Sequence, residues 1–354
     1  MREIAVILLL AAGNLEAAGV MTVLIPGGGI APHAAVDSKG VVHVVYGREG
    51  NGYYVKSADN GRTFSAPLRV NTRDRVVSVG RERGPRIALG GSESVHVAWI
   101  GPAGKGAYYT LLESGKFLPE RNLNEAGSAV DGTAIAADSR GRVFVLWLDS
   151  RLPEDPRSPV ANAIFFARSE DNGVTFAPSE EMKSGYPGRA CACCNLAATI
   201  DKQGTLWVAF RGGYEALRDM QLAASRDGRR FTWHEVHKDG WKLVACPMSG
   251  ADLLVDTTAA LPAVAWMSQG EVYFRLGDGP RQAAPLPRAG NRNFPLLLAN
   301  ASGDRLLAWT EGMEVHWHLT AASGKALDGV EKHLTHNSRP GGFTGRDGNF
   351  YLIP

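Results

Sequence analysis

The chain has 354 residues, 44% of them hydrophobic and 21% charged, with a formal net charge of +2. That is chain enough for a large core, and the near balance of charge gives no electrostatic basis for holding nucleic acid or an acidic membrane surface. Beyond the N-terminal leader there is no run of the ~20 apolar residues that a membrane helix needs, so no membrane insertion is expected.

Residues 1–19, MREIAVILLLAAGNLEAAG, start with Arg2, run through an apolar block from Ile4 to Ala12 and end in small residues. This is the order of a secretory signal peptide, with cleavage expected after Gly19. The mature chain, 20–354, is then a single domain exported to the periplasm or the extracellular space. Export places its cysteines in an oxidising compartment.

From residue 30 onward, short β-branched and aromatic runs are separated by Gly, Asp, Asn and Pro turns, which reads as all-β. One unit recurs: a first strand, a DxxG-type turn, and a second strand ending in an aromatic residue. It appears as PHAAVDSKGVVHVVY (Pro32 to Tyr46), GPRIALGGSESVHVAW (Gly84 to Trp99) and DGTAIAADSRGRVFVLW (Asp131 to Trp147). It returns as CNLAATIDKQGTLWVAF (Cys194 to Phe210), SGADLLVDTTAALPAVAW (Ser249 to Trp266) and NFPLLLANASGDRLLAW (Asn293 to Trp309). Six copies predict a six-bladed β-propeller with four-stranded antiparallel blades, and the final NFYLIP predicts a strand that closes the ring.

Two segments, SADNGRTF (Ser57 to Phe64) and SEDNGVTF (Ser169 to Phe176), place Asn-Gly where a tight turn between strands is due, with Asp59 and Asp171 to accept hydrogen bonds across it. SRDGRRFTW, from Ser225, is a shortened third copy. With these motifs the chain resembles the Asp-box, or BNR-repeat, proteins of the sialidase superfamily. CACCN followed by DGWKLVACPMSG is similar to a subgroup of exported proteins labelled sialidase-like. The resemblance implies six blades, structural Asp boxes on the face away from the ligand, and a carbohydrate ligand. It also implies an arginine triad, an aspartate acid and a tyrosine nucleophile with its glutamate. Here APHAAV puts His33 where the first arginine is expected, and the sixth unit supplies no tyrosine, so the resemblance does not carry sialidase chemistry across whole.

In a propeller, the starts of the innermost strands and the loops between second and third strands share one face. Those positions give Arg86, Asp149, Arg151, Arg211, Arg218 and Arg292 as candidate ligand-binding residues, with Glu215, Tyr214 and Asp131 as candidates for acid–base work. Asp219 is a further carboxylate on the same loops. Two of the loops are long, Asp149 to Asn162 and Arg211 to Asp219, and they flank the cysteines.

Cys191, Cys193 and Cys194 precede the fourth unit, and Cys246 precedes the fifth at the equivalent position. Neighbouring innermost strands bring the four sulfurs to one cluster. In an extended segment Cys191 and Cys193 point one way and Cys194 the other. Two disulfides are one reading, one of them joining Cys246 to the blade-four segment. The other is a thiolate site for Cu or Zn, with Met248 and His33 as further soft or imidazole ligands. The function expected is a ligand site for a glycan or a soft metal ion at the channel mouth, without turnover. The alternatives are an exo-glycosidase with an altered catalytic set, and a redox or scaffold protein with a partner in the cell envelope.

Overall fold

The computed structural model describes residues 18–255, 259–285, 290–331 and 338–354. The body of the expected signal peptide, residues 1–17, lies outside the described residues. Six antiparallel sheets follow one another along the chain, each with a path of four strands, and those of blades 2 and 3 carry a short fifth strand off that path. Blade 1 uses Ile30–Val36, Val42–Arg48, Asn51–Ser57 and Leu68–Arg69. The first and second strands of blades 2 to 6 are Arg86–Leu89 with Val95–Ile100, Val130–Ala137 with Val143–Asp149, Ala197–Ile200 with Leu206–Arg211, Asp252–Leu254 with Ala263–Ser268, and Arg292–Ala299 with Arg305–Glu311.

The ring has seven blades, which corrects the expected six. Gly341–Thr344 pairs antiparallel with Phe350–Ile353, and that strand pairs parallel with Val20–Thr22 from the other end of the chain. This three-stranded sheet is a blade of its own. A repeat search misses it because its third strand comes from the N-terminus, leaving only GGFTGRDGNFYLI to be seen in one place. The closing strand predicted at NFYLIP is present, but it closes a seventh blade.

Blades cannot bury both faces alone, so the core lies between them. Tyr351 of blade 7 packs with Val44 of blade 1, Trp99 of blade 2 with Val45 of blade 1, and Trp147 of blade 3 with Ala98 of blade 2. The series continues around the ring, with Leu352 of blade 7 against Leu306 of blade 6 completing it. The aromatic residues near the ends of the second strands, Tyr46, Trp99, Trp147, Phe210, Trp266 and Trp309, are at most 3% exposed. Each contributes roughly 2–3 kcal/mol by burial. A run that is apolar on both faces and ends in a large ring is therefore what makes the second strand of every unit the middle of a sandwich.

Candidate functional site

The first strands of the blades line an axial cavity of about 370 Å³, walled by small and aliphatic side chains such as Ala88, Ala136, Ala198 and Leu298. At the end where these strands start, the axis is closed. The buried Glu82 carboxylate accepts the Asn195 N–H at 3.2 Å and the Gly250 N–H at 2.5 Å, and its backbone carbonyl accepts Arg86 Nη2 and the Asn195 amide. Ser249 Oγ accepts the Phe294 N–H, and the Arg339 N–H donates to the Arg81 carbonyl. The starts of the first strands thus seal the axis instead of lining an open mouth. His33, Arg86, Asp252 and Arg339 sit just inside as a polar floor, with Arg339 Nη2 donating to Asp252 at 2.6 Å. Burial, with Arg86 and Arg339 nearby, holds His33 neutral. His33 Nδ1 accepts the Ile87 N–H, so it belongs to the axis and serves no cysteine.

On the same face, off the axis, the two long loops and the cysteine segment are tied together. Ala190–Cys191 adds to the third strand of blade 3, Ala161–Ser169, pairing with Ala161 and Asn162. The Ala192 N–H donates to the Val160 carbonyl, and the Glu215 N–H to the Arg157 carbonyl at 2.5 Å. Arg218 is fully buried and donates to the carbonyls of Ala245, Pro159 and Gly212. Arg211, equally buried, donates to the carbonyls of Ser249, Arg218 and Met267. These two guanidiniums fasten the neighbourhood of Cys246 to blades 3 to 5.

Cys193 and Cys246 form a disulfide with their Cα atoms 6.2 Å apart, joining the segments that lead into blades 4 and 5. Both are half-buried. Cys191 and Cys194 are free thiols, each 1% exposed, and Cys194 Sγ donates to Cys191 Sγ at 3.7 Å. The register expected for an extended segment is corrected here. The chain turns at Ala192 and Cys193, so Cys191 meets Cys194 while Cys193, close to both, is bonded to Cys246. The hydrogen bond from Cys194, helped by the Arg218 and Arg211 charges and opposed by burial, moves the Cys191 thiol down. Burial pushes Cys194 up, and its donation to Cys191 adds to that. The Sγ atoms of Cys191, Cys193 and Cys194 lie within 4.8 Å of one another. With Cys193 committed to a disulfide, two thiolate donors remain, fewer than the four ligands of a structural zinc site and suited only to a soft ion of low coordination number. Met248 is half-buried two residues beyond Cys246, with φ 49°.

The remaining expected residues are dispersed. The Asp149 carboxylate is buried and accepts from Ser128 Oγ, Trp147 Nε1 and Arg151 Nη2, which makes Asp149 and Arg151 a structural pair at the rim of blade 3. Arg292 is buried between Glu271 and Glu311 and also donates to the Ala284 and Pro285 carbonyls. Asp219 accepts the Gly240 and Trp241 N–H groups. Tyr214 and Glu215 begin a short turn in which Glu215 has φ 49° and an exposed side chain. Asp131 faces a crevice, where Arg83 grips both its oxygens, Nε at 2.8 Å and Nη2 on the other. That crevice, about 480 Å³ between blades 2 and 3, is also lined by Ser78, Val79, Ile100, Val130, Asn162 and Ala192, one residue from the disulfide. Asp59 and Asp171 lie far from it, on turns between third and fourth strands. Each accepts from a Ser, from a Thr hydroxyl and from a Thr N–H.

Sequence reading missed Glu82, Arg83 and Arg339. The first two stand in RERGPR, immediately before the second unit, and were legible as charges leading into a first strand. Of the pairings that the spacing leaves open beside a Cys246 bond, Cys191 with Cys194 is the one whose sulfurs are neighbours, as two thiols and not as a second disulfide.

No family model matches the sequence, and no curated protein does. In fold the chain is similar to the α-L-arabinanase of Penicillium chrysogenum complexed with arabinobiose, at 14% identity over 89% of this chain and 98% of that chain, TM-score 0.53. It is similar also to the fucose-recognising six-bladed lectin of Aleuria aurantia, at 12% identity over 85% and 94%, TM-score 0.52. An ulvan lyase bound to a GlcA(1-4)Rha3S chain is 10% identical over 93% and 88%, TM-score 0.55. At such identities the likeness is one of propeller fold.

Proposed function

We propose that the protein is an exported, carbohydrate-binding propeller that seats its ligand, without turnover, in the crevice between blades 2 and 3. The observation that carries this reading is the half-exposed Arg83–Asp131 pair facing that crevice. A bidentate guanidinium–carboxylate pair offers donors and an acceptor in one plane, which suits neighbouring sugar hydroxyls, while Val79, Ile100 and Val130 offer the apolar contact that a sugar ring requires. The likeness in fold to proteins bound to arabinobiose, fucose and a uronate-containing chain supports a sugar as the ligand class. The acids favour binding without turnover. Asp131, Asp149 and Asp219 each hold separate, fixed partners, whereas glycoside hydrolysis needs two carboxyl groups about 5 to 9 Å apart across one bond.

A glycan microarray followed by calorimetry on the hits tests this. Arg83→Ala and Asp131→Asn are each expected to weaken binding about 10- to 100-fold, the loss of one charge-assisted hydrogen bond. Binding unaffected by both substitutions, or no glycan bound at millimolar concentration, would sink the reading. Cleavage products after prolonged incubation would remove its non-catalytic part.

Export is supported by the order of residues 1–19 and by the Cys193–Cys246 disulfide, a bond of oxidising compartments. N-terminal sequencing of the chain recovered outside the cytoplasm is expected to begin at Val20, the first residue of the blade 7 strand. Recovery of chain starting at Met1 from the cytoplasm alone would contradict export.

A further inference from the structure

The Cys193–Cys246 disulfide accounts for two cysteines as a staple between blades, and leaves two with nothing to hold. Cys191 and Cys194 are thiols 3.7 Å apart, buried directly behind a half-exposed disulfide whose nearer sulfur, that of Cys193, lies within 4.8 Å of both. A turn at Ala192 and Cys193 makes this possible, because it gathers the sulfurs of Cys191, Cys193 and Cys194 within 4.8 Å of one another. We propose that the four cysteines form a dithiol–disulfide exchange site, in which the buried Cys191–Cys194 pair transfers its two electrons to the Cys193–Cys246 disulfide, and the freed Cys193 and Cys246 thiols reduce a disulfide presented from solvent.

The steps balance. The Cys191 thiolate attacks Cys193 Sγ, forming a Cys191–Cys193 bond, and the electron pair of the broken Cys193–Cys246 bond leaves on Cys246 Sγ. Cys194, as thiolate, then attacks Cys191 Sγ, and the electron pair of the Cys191–Cys193 bond leaves on Cys193 Sγ. The protons lost by Cys191 and Cys194 end on Cys193 and Cys246. One disulfide and two thiols are present before and after, so this internal transfer requires no outside oxidant. The half-exposed pair then meets the substrate, a small-molecule disulfide or an exposed protein disulfide. Re-forming the Cys193–Cys246 bond reduces that substrate to two thiols, and the chain is left with two disulfides. Burial decides the direction of traffic: an outside disulfide cannot reach Cys191 or Cys194, each 1% exposed, whereas Cys193 and Cys246 are open to it.

The test uses the whole mature protein, isolated without reductant and mixed with oxidised glutathione under anaerobic conditions. Samples are quenched in acid, alkylated and mapped by peptide mass. The expected result is release of two glutathione thiols per chain, with Cys191–Cys194 and Cys193–Cys246 both bonded at the end and Cys246 transiently alkylated on the way. In Cys191→Ser the appearance of alkylated Cys246 is expected to slow by at least about tenfold, since the attacking thiolate is gone. In Cys194→Ser the internal transfer is expected to stop with Cys191 bonded to Cys193 and Cys246 free or carrying one glutathione, so that at most one glutathione thiol is released per chain. Oxidation of Cys191 and Cys194 in the unaltered protein with Cys246 never alkylated would overturn the proposal, as would no release of glutathione. Both outcomes are read without any variant, so a variant that fails to fold does not rescue the idea.

Discussion

His96 has no exposed surface and sits between two hydroxyls, with Tyr109 Oη 2.7 Å from Nδ1 and Ser94 Oγ 2.9 Å from Nε2. Burial holds its pKa down to about 4, against a slight upward pull from Asn172. Burial lowers His33 and His43 as well. The sign follows from proton counts: between pH 6.5 and about 4 the unfolded chain binds protons at these imidazoles and the folded chain does not. Stability is therefore full above pH 6.5 and falls as the pH drops through that window. For His96 alone the fall amounts to about 3 kcal/mol, at 1.36 kcal/mol per unit of pKa. The two turn aspartates act at lower pH. Hydrogen bonds, foremost from Ser169 to Asp171 and from Thr63 to Asp59, hold both near pKa 2, so their contribution is lost only as pH falls from about 4 to about 2. Urea midpoints are expected to decline steadily from pH 7 to 4.5, and His96→Gln to flatten part of that slope. A wild-type midpoint that stays level over the same range would show that the buried imidazoles carry no such linkage.

At the scale of strands and turns, the sequence was most legible where a residue's role is local. The turns DSKG, DSRG and DKQG, the aromatic residues near the ends of the second strands and the two SxDNGxTF turns are found where their patterns put them, because each depends on neighbours within a few residues. The legibility ends at contacts between blades. Asn172 was read as a turn former, and it is one at φ 59°, yet its Oδ1 also accepts the Gly91 N–H and the Ser94 hydroxyl of blade 2. Gly173 follows it at φ +82°, and a Cβ there would collide with Tyr109 of blade 2, so the glycine serves both the turn and the interface. The same limit explains the cysteines and the arginines. The chain leaves its extended course just after Cys191 because Ala190–Cys191 is a two-residue strand pinned to Ala161 and Asn162, some thirty residues away. Arg211 and Arg218 lie beside the segments that carry the cysteines, but the sequence does not show that backbone carbonyls converge on them. An arginine free to grip a ligand and an arginine spent on backbone look identical in one dimension, and Arg83 is distinguished only by the crevice beside it.

At the scale of the whole molecule, the ring is closed by strands from the two ends of the chain, and that closure sets how it must fail. Among the described residues the strand partner of Val20–Thr22 is Phe350–Ile353, so the N-terminal strand loses its ladder when the C-terminal strand is removed. Phe350, Tyr351, Leu352 and Ile353 are each at most 3% exposed and divide between the interfaces with blade 6 and blade 1. At about 1.5–3 kcal/mol for each side chain, their loss removes roughly 6–12 kcal/mol. Domains of this kind have about 5–15 kcal/mol in total. A chain ending at Gly345 therefore loses most of its margin, and with it the pairing of Val20–Thr22. It is expected to show no cooperative thermal transition by circular dichroism and to elute as an expanded or aggregated species. If that truncated chain instead melts cooperatively at the wild-type temperature, six blades close by themselves and the seventh sheet is an appendage. The two outcomes differ by more than the uncertainty of any single burial energy, so this one truncation decides whether the ring is structurally sevenfold or only looks so.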